Sequence, residues 1–121
     1  MSQKDTLLVV IRQAPQSGLW LREALDAAMV GAAFGKTVSL LFMGQGVLAL
    51  LPGQAQKPGV EKPLLPTRET LAMYDIQHLC VAAADLYALN VKADSLVEGI
   101  TLLDEEQIRG CFADAANILN F

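Results

Sequence analysis

Clustered basic residues, metal-ligand spacings and long apolar spans are all missing from this chain, and each absence removes a class of function. Nine Lys and Arg residues lie scattered among thirteen Asp and Glu, for a formal net charge of −4 and a pI near 4.8. That balance argues against direct electrostatic capture of nucleic acid, and an RNA substrate would need the basic surface of another chain. Cysteine is scarce as well. Cys80 and Cys111 are too far apart in sequence for a metal pair, and two thiols do not make the disulfide framework of a secreted domain. The longest apolar region, Val38 to Leu51, is interrupted by Gly44-Gln45-Gly46 and falls short of the ~20 residues of a membrane span. Before Arg12 the apolar stretch Thr6 to Ile11 is too short for a signal peptide, so the expected location is the cytoplasm, away from any membrane.

What the chain has is grease. Hydrophobic residues make up 53% and charged residues only 18% of its 121 positions, against about 45–50% and about 25% in ordinary soluble domains. The length suits one domain over residues 1–121 with a single core. The apolar excess is most simply spent on a partner or on self-association.

Residues 42 to 54, Phe-Met-Gly-Gln-Gly-Val-Leu-Ala-Leu-Leu-Pro-Gly-Gln, are the most informative stretch. Gly44 and Gly46 bracket a sharp change of direction after an apolar strand, and a short helix from Val47 to Leu51 has to stop at Pro52. This corner carries no acid, base, thiol or hydroxyl, at a place where many α/β proteins keep their chemistry.

Elsewhere strands alternate with helices. The continuous apolar run Thr6 to Ile11 predicts a central parallel strand with both faces covered. After the loop Gln13 to Gly18, with Ser17 as a cap, a helix is predicted from Leu19 to Phe34 and closed by Gly35 and Lys36. Its charges, Arg22, Glu23 and Asp26, share one narrow face, which predicts burial on more than one side. Further strands are predicted at Thr37–Met43, Ile76–Ala82, Leu96–Thr101 and Asn117–Phe121. Helices are predicted from Thr67 to Tyr74, Ala83 to Asn90 and Asp104 to Ala115, with a Pro-rich loop over Gln54 to Pro66. Five strands with helical crossovers imply a three-layer α/β/α fold around a mostly parallel five-stranded sheet.

The candidate chemistry is sparse. Gln13 to Gly18 follows a strand and precedes a helix, but its single glycine makes neither a dinucleotide fingerprint nor a P-loop, and no cofactor is expected. Arg12-Gln13 stands where a phosphoacceptor receiver would need acids. His78, the only histidine, has no nucleophile assignable by spacing and reads as structural. Asp104, Glu105 and Glu106 sit in a helix's first turn, where the macrodipole favours carboxylates, and read as caps. Cys111 reads as a small hydrophobe. Cys80, in Leu79-Cys80-Val81-Ala82, lies near the carboxyl end of a strand and just before a helix, where a thiolate or persulfide is favoured. A buried, unactivated thiol is the competing reading.

The runs Arg12-Gln-Ala-Pro-Gln-Ser-Gly18, Arg22-Glu-Ala-Leu-Asp-Ala-Ala28, Phe42 through Gln54, Leu71-Ala-Met-Tyr-Asp-Ile76, Val97-Glu98 and Ile118-Leu-Asn-Phe121 together resemble the TusC/DsrF branch of the DsrE-like sulfur-relay family. The likeness extends over nearly the whole chain. It implies the α/β/α fold and assembly with TusB-like and TusD-like (DsrH-like and DsrE-like) sister subunits. In that family the TusD-type subunit carries the persulfide and hands sulfur to a TusE/DsrC-like carrier. The TusC branch supports 2-thiolation of the tRNA wobble uridine, and the DsrF branch serves sulfur oxidation. The position resembling the TusD-type cysteine is Ala82, two residues beyond Cys80, which implies a noncatalytic structural subunit. No catalytic residue, metal or cofactor is assigned, and a sulfurtransferase using Cys80 is the alternative. Candidate contact regions are the helix over 19–34, the loop from Pro52 to Pro66 and the C-terminal strand, represented by Trp20, Pro52 and Phe121.

Overall fold

The computed structural model describes residues 6–14, 20–51, 68–74, 76 and 78–121. Five strands, β1 (Thr6–Ile11), β2 (Thr37–Phe42), β3 (His78–Ala82), β4 (Thr101–Leu103) and β5 (Asn117–Asn120), form one sheet in the order β4-β3-β2-β1-β5. Every neighbouring pair is parallel. The connections therefore carry helices: α1 (Trp20–Ala33), α2 (Arg68–Met73), α3 (Ala83–Ala88) and α4 (Glu105–Asp114), with a 3-10 segment over Gly44–Leu50.

β1 has the bounds its sequence predicts. Val9, Val10 and Ile11 are fully buried because alternate side chains enter opposite layers. Leu7, Val9 and Ile11 join Val38, Leu40 and Phe42 of β2 in the larger core, under α1, the 3-10 segment, Leu71 of α2 and Leu86 of α3. Leu8 and Val10 join Leu41 and Leu103 on the other face, where Ile108, Cys111, Phe112 and Ala115 of α4 and its end pack against them. Three layers result, and they are unequal: among the described residues α4 is the one helix contributing to the second face.

Three expectations are corrected. α1 is buried along a single stripe of Leu21, Ala24, Leu25, Ala28 and Gly31, while Val30 and Phe34 are exposed. The apolar residues off that stripe include the exposed Trp20, Val30 and Phe34, because α1 packs mainly on β1 and β2 and is covered along one side. The fourth strand is Thr101–Leu103, where Leu96–Thr101 is predicted. Gly99 takes a φ of +86°, a turn that extended pairing cannot contain. Leu96, Val97 and Ile100 instead pack singly on the larger core, with the Val97 amide donating to the Leu50 carbonyl at 2.9 Å. The helix predicted from Val47 starts at Gly44 and is 3-10 throughout.

Smaller differences lie at element ends. The helix predicted to Asn90 ends at Ala88, and Asn90 at φ +57° completes a Schellman turn in which the Val91 amide donates to Leu86 O at 2.9 Å. β3 begins at His78 because the amide of the buried Ile76 is taken by Leu71 O, at 2.9 Å, at the end of α2. Asp104 caps α4 as predicted, within a reciprocal capping box with Gln107 whose two bonds are each 2.8 Å. Ser17, Thr67 and the loop Gln54–Pro66 lie outside the described residues.

The tightest point is Gly46. A Cβ there would stand 2.1 Å from the Ile11 carbonyl oxygen, which already accepts from the Met43 amide at 2.9 Å. Backbone meets backbone, and no side chain can give way. Gly46→Ala is therefore expected to destabilise by about 2–3 kcal/mol or more, in the range of severe overpacking, as read by urea unfolding. Unchanged stability would show that the corner is looser than described. Asp104→Ala should cost about 1 kcal/mol by the loss of its cap, and an unchanged unfolding midpoint would refute that role.

Candidate functional site

Parallel α/β sheets keep their chemistry at the carboxyl ends of the strands, so the ends of β2 and β3 are the place to look. β3 runs directly into α3, with Ala82 as the residue before the helix. Ala82 is 2% exposed and offers a methyl group and no side-chain cap. Asp85, in the first turn of α3, sends its carboxylate across to the end of β2, where Oδ2 accepts from the Gly44 amide at 2.7 Å. A first-turn carboxylate also suits the helix dipole. The corner is thus tied together by a charge-assisted hydrogen bond, and the side chain responsible, Asp85, went unnoticed in the sequence. A single aspartate in a predicted helix carries no signal until the opposite strand end is known.

Cys80 stands two residues earlier, opposite Leu41 of β2 and Thr101 of β4. Its side chain is half-buried on the α4 face, in the same apolar cluster as Cys111. The fold therefore brings together two thiols that the sequence separates. Burial pushes the Cys80 thiol up from its ordinary value, and the neighbouring Cys111 pushes it further. Cys111 is likewise raised, by burial and then by Asp114. Both shifts favour the neutral thiol, whereas sulfur transfer needs the thiolate.

The remaining candidates are dispersed. His78 is exposed at the amino end of β3, opposite Ser39, far along the strand from the Ala82 corner. Asp104 and Gln107 are consumed by capping, and Glu105 pairs with Arg109 at 2.8 Å. No group of three or more metal-binding side chains occurs among the described residues. Trp20 is exposed at the start of α1. Phe121 is half-buried against the larger core, with its amide donating to Val10 O and its carbonyl accepting from the Arg12 amide, both at 2.8 Å. Pro52 lies outside the described residues. No helix among them is long and apolar enough to cross a membrane.

A cavity of about 550 Å³ lies between α3, the turn that follows it and β4, with Leu86, Tyr87, Val91 and Leu102 among its walls. It is invisible in the sequence because the predicted fourth strand stops before Leu102.

The DsrE/DsrF-like family model matches residues 5–121. Protein TusC homolog of Pseudomonas aeruginosa is 36% identical over 109 residues, 90% of each chain. Protein TusC of Escherichia coli is 31% identical over 114 residues, 93% of this chain and 95% of its own. The intracellular sulfur oxidation protein DsrF of Allochromatium vinosum is 37% identical over 87 residues, 72% of this chain and 64% of its own. Among solved structures, the YchN protein of Escherichia coli superposes with a TM-score of 0.79 at 20% identity, covering both chains completely, which shows a shared fold. A family model that matches nearly the whole length, on the parallel sheet that the fold requires, establishes that this chain belongs to the DsrE/DsrF-like family.

Proposed function

We propose that this chain is a noncatalytic structural subunit of a cytoplasmic, TusBCD-like sulfur-relay complex that supports persulfide transfer for tRNA wobble 2-thiouridine synthesis. The observation that carries the reading is the carboxyl end of β3. Where the resemblance aligns a reactive cysteine, Ala82 presents a buried methyl, and the nearest carboxylate is committed to the Gly44 amide. The thiol closest in sequence, Cys80, is held neutral by burial, which speaks against the alternative of a sulfurtransferase using it.

Assembly with TusB-like and TusD-like sister chains accounts for the apolar side chains left in water. Phe34 and Met73 are 81% and 84% exposed, a cost that covering chains would remove. A TusE/DsrC-like carrier would then meet the complex through the catalytic sister. The relatives named TusC match 90% or more of this chain, whereas DsrF matches 72% of it. That favours the thiolation pathway over a DsrF-like role in sulfur oxidation.

The test is to co-express the chain with its TusB-like and TusD-like sisters, load the assembly with labelled sulfane sulfur and map persulfides by mass spectrometry. Label is expected on the TusD-like sister alone, with assembly and transfer intact in Cys80→Ser. Label on Cys80 that passes to a TusE-like carrier and disappears in Cys80→Ser would make this chain a sulfurtransferase. Alkylation gives an independent check. Because its pKa is raised, Cys80 should react with iodoacetamide more slowly than free cysteine at neutral pH, and should accelerate only as the pH climbs above the ordinary thiol range of about 8.5. A rate at neutral pH equal to that of free cysteine would refute the neutral-thiol argument.

A further inference from the structure

The chain has two cysteines, and the fold seats both on the thinly covered face of the sheet, against the same cluster of Leu8, Val10, Leu41 and Leu103. The strand registers set Val10, Leu41, Cys80 and Thr101 in one row across that face. α4 starts just beyond β4 and delivers the chain to β5, beside β1, so it passes over β3 and β2 on the way. Its inward stripe is Ile108, Cys111, Phe112 and Ala115, at helical spacing. Ile108 lies nearer the β4 end and Ala115 nearer the β1 end, which leaves Cys111 above the middle strands, where the row offers Leu41 and Cys80. The thiols are close enough for Cys111 to act on the ionisation of Cys80.

A disulfide needs its two Cβ atoms within about 4.5 Å of each other, so a helix that is to reach a strand must be able to settle. α4 is suited to that. None of its ten residues is fully buried, and its ion pair and capping box are internal and would travel with it. The Thr6 hydroxyl donates to the Asp114 carbonyl at 3.2 Å, a pivot at the end of the helix from which Cys111 lies one turn away.

We infer that Cys80 and Cys111 form a dithiol pair that a low-molecular-weight disulfide oxidises to an intramolecular disulfide, clamping α4 onto β3. One cysteine gives up its proton and attacks a sulfur of the oxidant, whose S–S bond breaks; one thiol leaves and a mixed disulfide remains. The second cysteine gives up its proton and attacks the protein sulfur of that mixed disulfide, expelling the other thiol. The protein loses two protons and two electrons, and the oxidant becomes two thiols. In a reducing compartment such a pair stays open and closes under oxidative load. The inference needs only the placement of the two thiols, and stands whether or not the chain serves a sulfur relay.

The test equilibrates the full chain with mixtures of oxidised and reduced glutathione, quenches with N-ethylmaleimide and maps the products by mass spectrometry. The expected product is monomeric, lighter by two hydrogens, without maleimide, and yields a peptide containing Cys80 joined to one containing Cys111. The effective concentration of one thiol toward the other should be about tenfold or more higher in the native chain than in concentrated urea, because a fold that brings the pair together favours the bond. Hydrogen exchange of the α4 amides should slow on oxidation, and the same treatment should leave it unchanged in Cys111→Ser. Separate glutathione adducts on the two cysteines, a link between chains, or an effective concentration no higher than in urea would overturn the pairing. An internal link that leaves α4 exchange unchanged would overturn the clamp.

Discussion

A strand can be dry only if both of its faces and both of its edges are covered, and β1 imposes that demand on the rest of the chain. Thr6 to Ile11 has no polar side chain after its first residue, and five of its six residues are buried. β2 covers one edge and β5 the other; α1 lies over one face and α4 over the second. Two of these four covers come from the last part of the sequence, so the centre of the sheet stays wet until the chain has returned from β4. The return is pinned at both ends of β1. Ala116 donates to the Thr6 carbonyl at 3.2 Å and to its hydroxyl oxygen at 3.0 Å, and Phe121 bonds to Val10 and Arg12. Contacts of such long sequence separation carry a loop-closure cost that the burial of Val9, Val10 and Ile11 must exceed.

The inequality of the two faces follows from this economy of cover. One face receives α1, the 3-10 segment, α2 and α3, and holds most of the buried side chains. The other receives α4, which starts beyond β4 at one edge and ends before β5 at the other, so it must cross the sheet obliquely. Buried side chains follow that path from Leu103 through Leu41 to Leu8 and Val10. His78 and Thr101 fall outside it and are exposed, and Cys80 between them is left half-covered. Its half-covered position on the less protected face follows from the path of one crossing helix. An activated thiol would need amides or cations nearby. Cys80 has Leu41 across the strand and a second thiol in its cluster.

Where local chemistry decides structure, the sequence was readable. β1 could be bounded from its apolar run alone, the end of α1 from Gly35, and the start of α4 from the acids Asp104, Glu105 and Glu106. The five-strand alternation was enough for the layer architecture. Misreadings arose where an apolar residue has two ways to be buried. Leu96, Val97 and Ile100 look like a strand because strands are apolar, yet a loop held by Leu50 half-buries them against the larger core, and Gly99 decides between the two. The corner at Gly44 was legible as a turn. Its 3-10 form was not, since that depends on how near Gly46 comes to Ile11, a distance set by β1 and β2 together. The candidate site was legible mainly as a lack. Ala82 could be read as a missing cysteine from the resemblance, but the bond from Asp85 to Gly44 and the approach of Cys111 to Cys80 are tertiary facts with no local signature.

The corner of Gly44, Ala82 and Asp85 shows how the ends of β2 and β3 are held together. A strand that passes straight into a helix points successive amides at one spot, and those amides favour a negative charge beside them. In a catalytic subunit that charge could be a thiolate. Here Asp85 supplies it from within the helix, and the Gly44 amide satisfies it from the neighbouring strand end. The charge is spent on joining β2 to β3, the two strands that the long excursion through residues 43–77 separates. A cysteine placed at Ala82 would enter a buried position beside an existing carboxylate, and both burial and like charge raise a thiol's pKa. The residue type at position 82 and the bond made by Asp85 thus act in the same direction, against a thiolate at this corner.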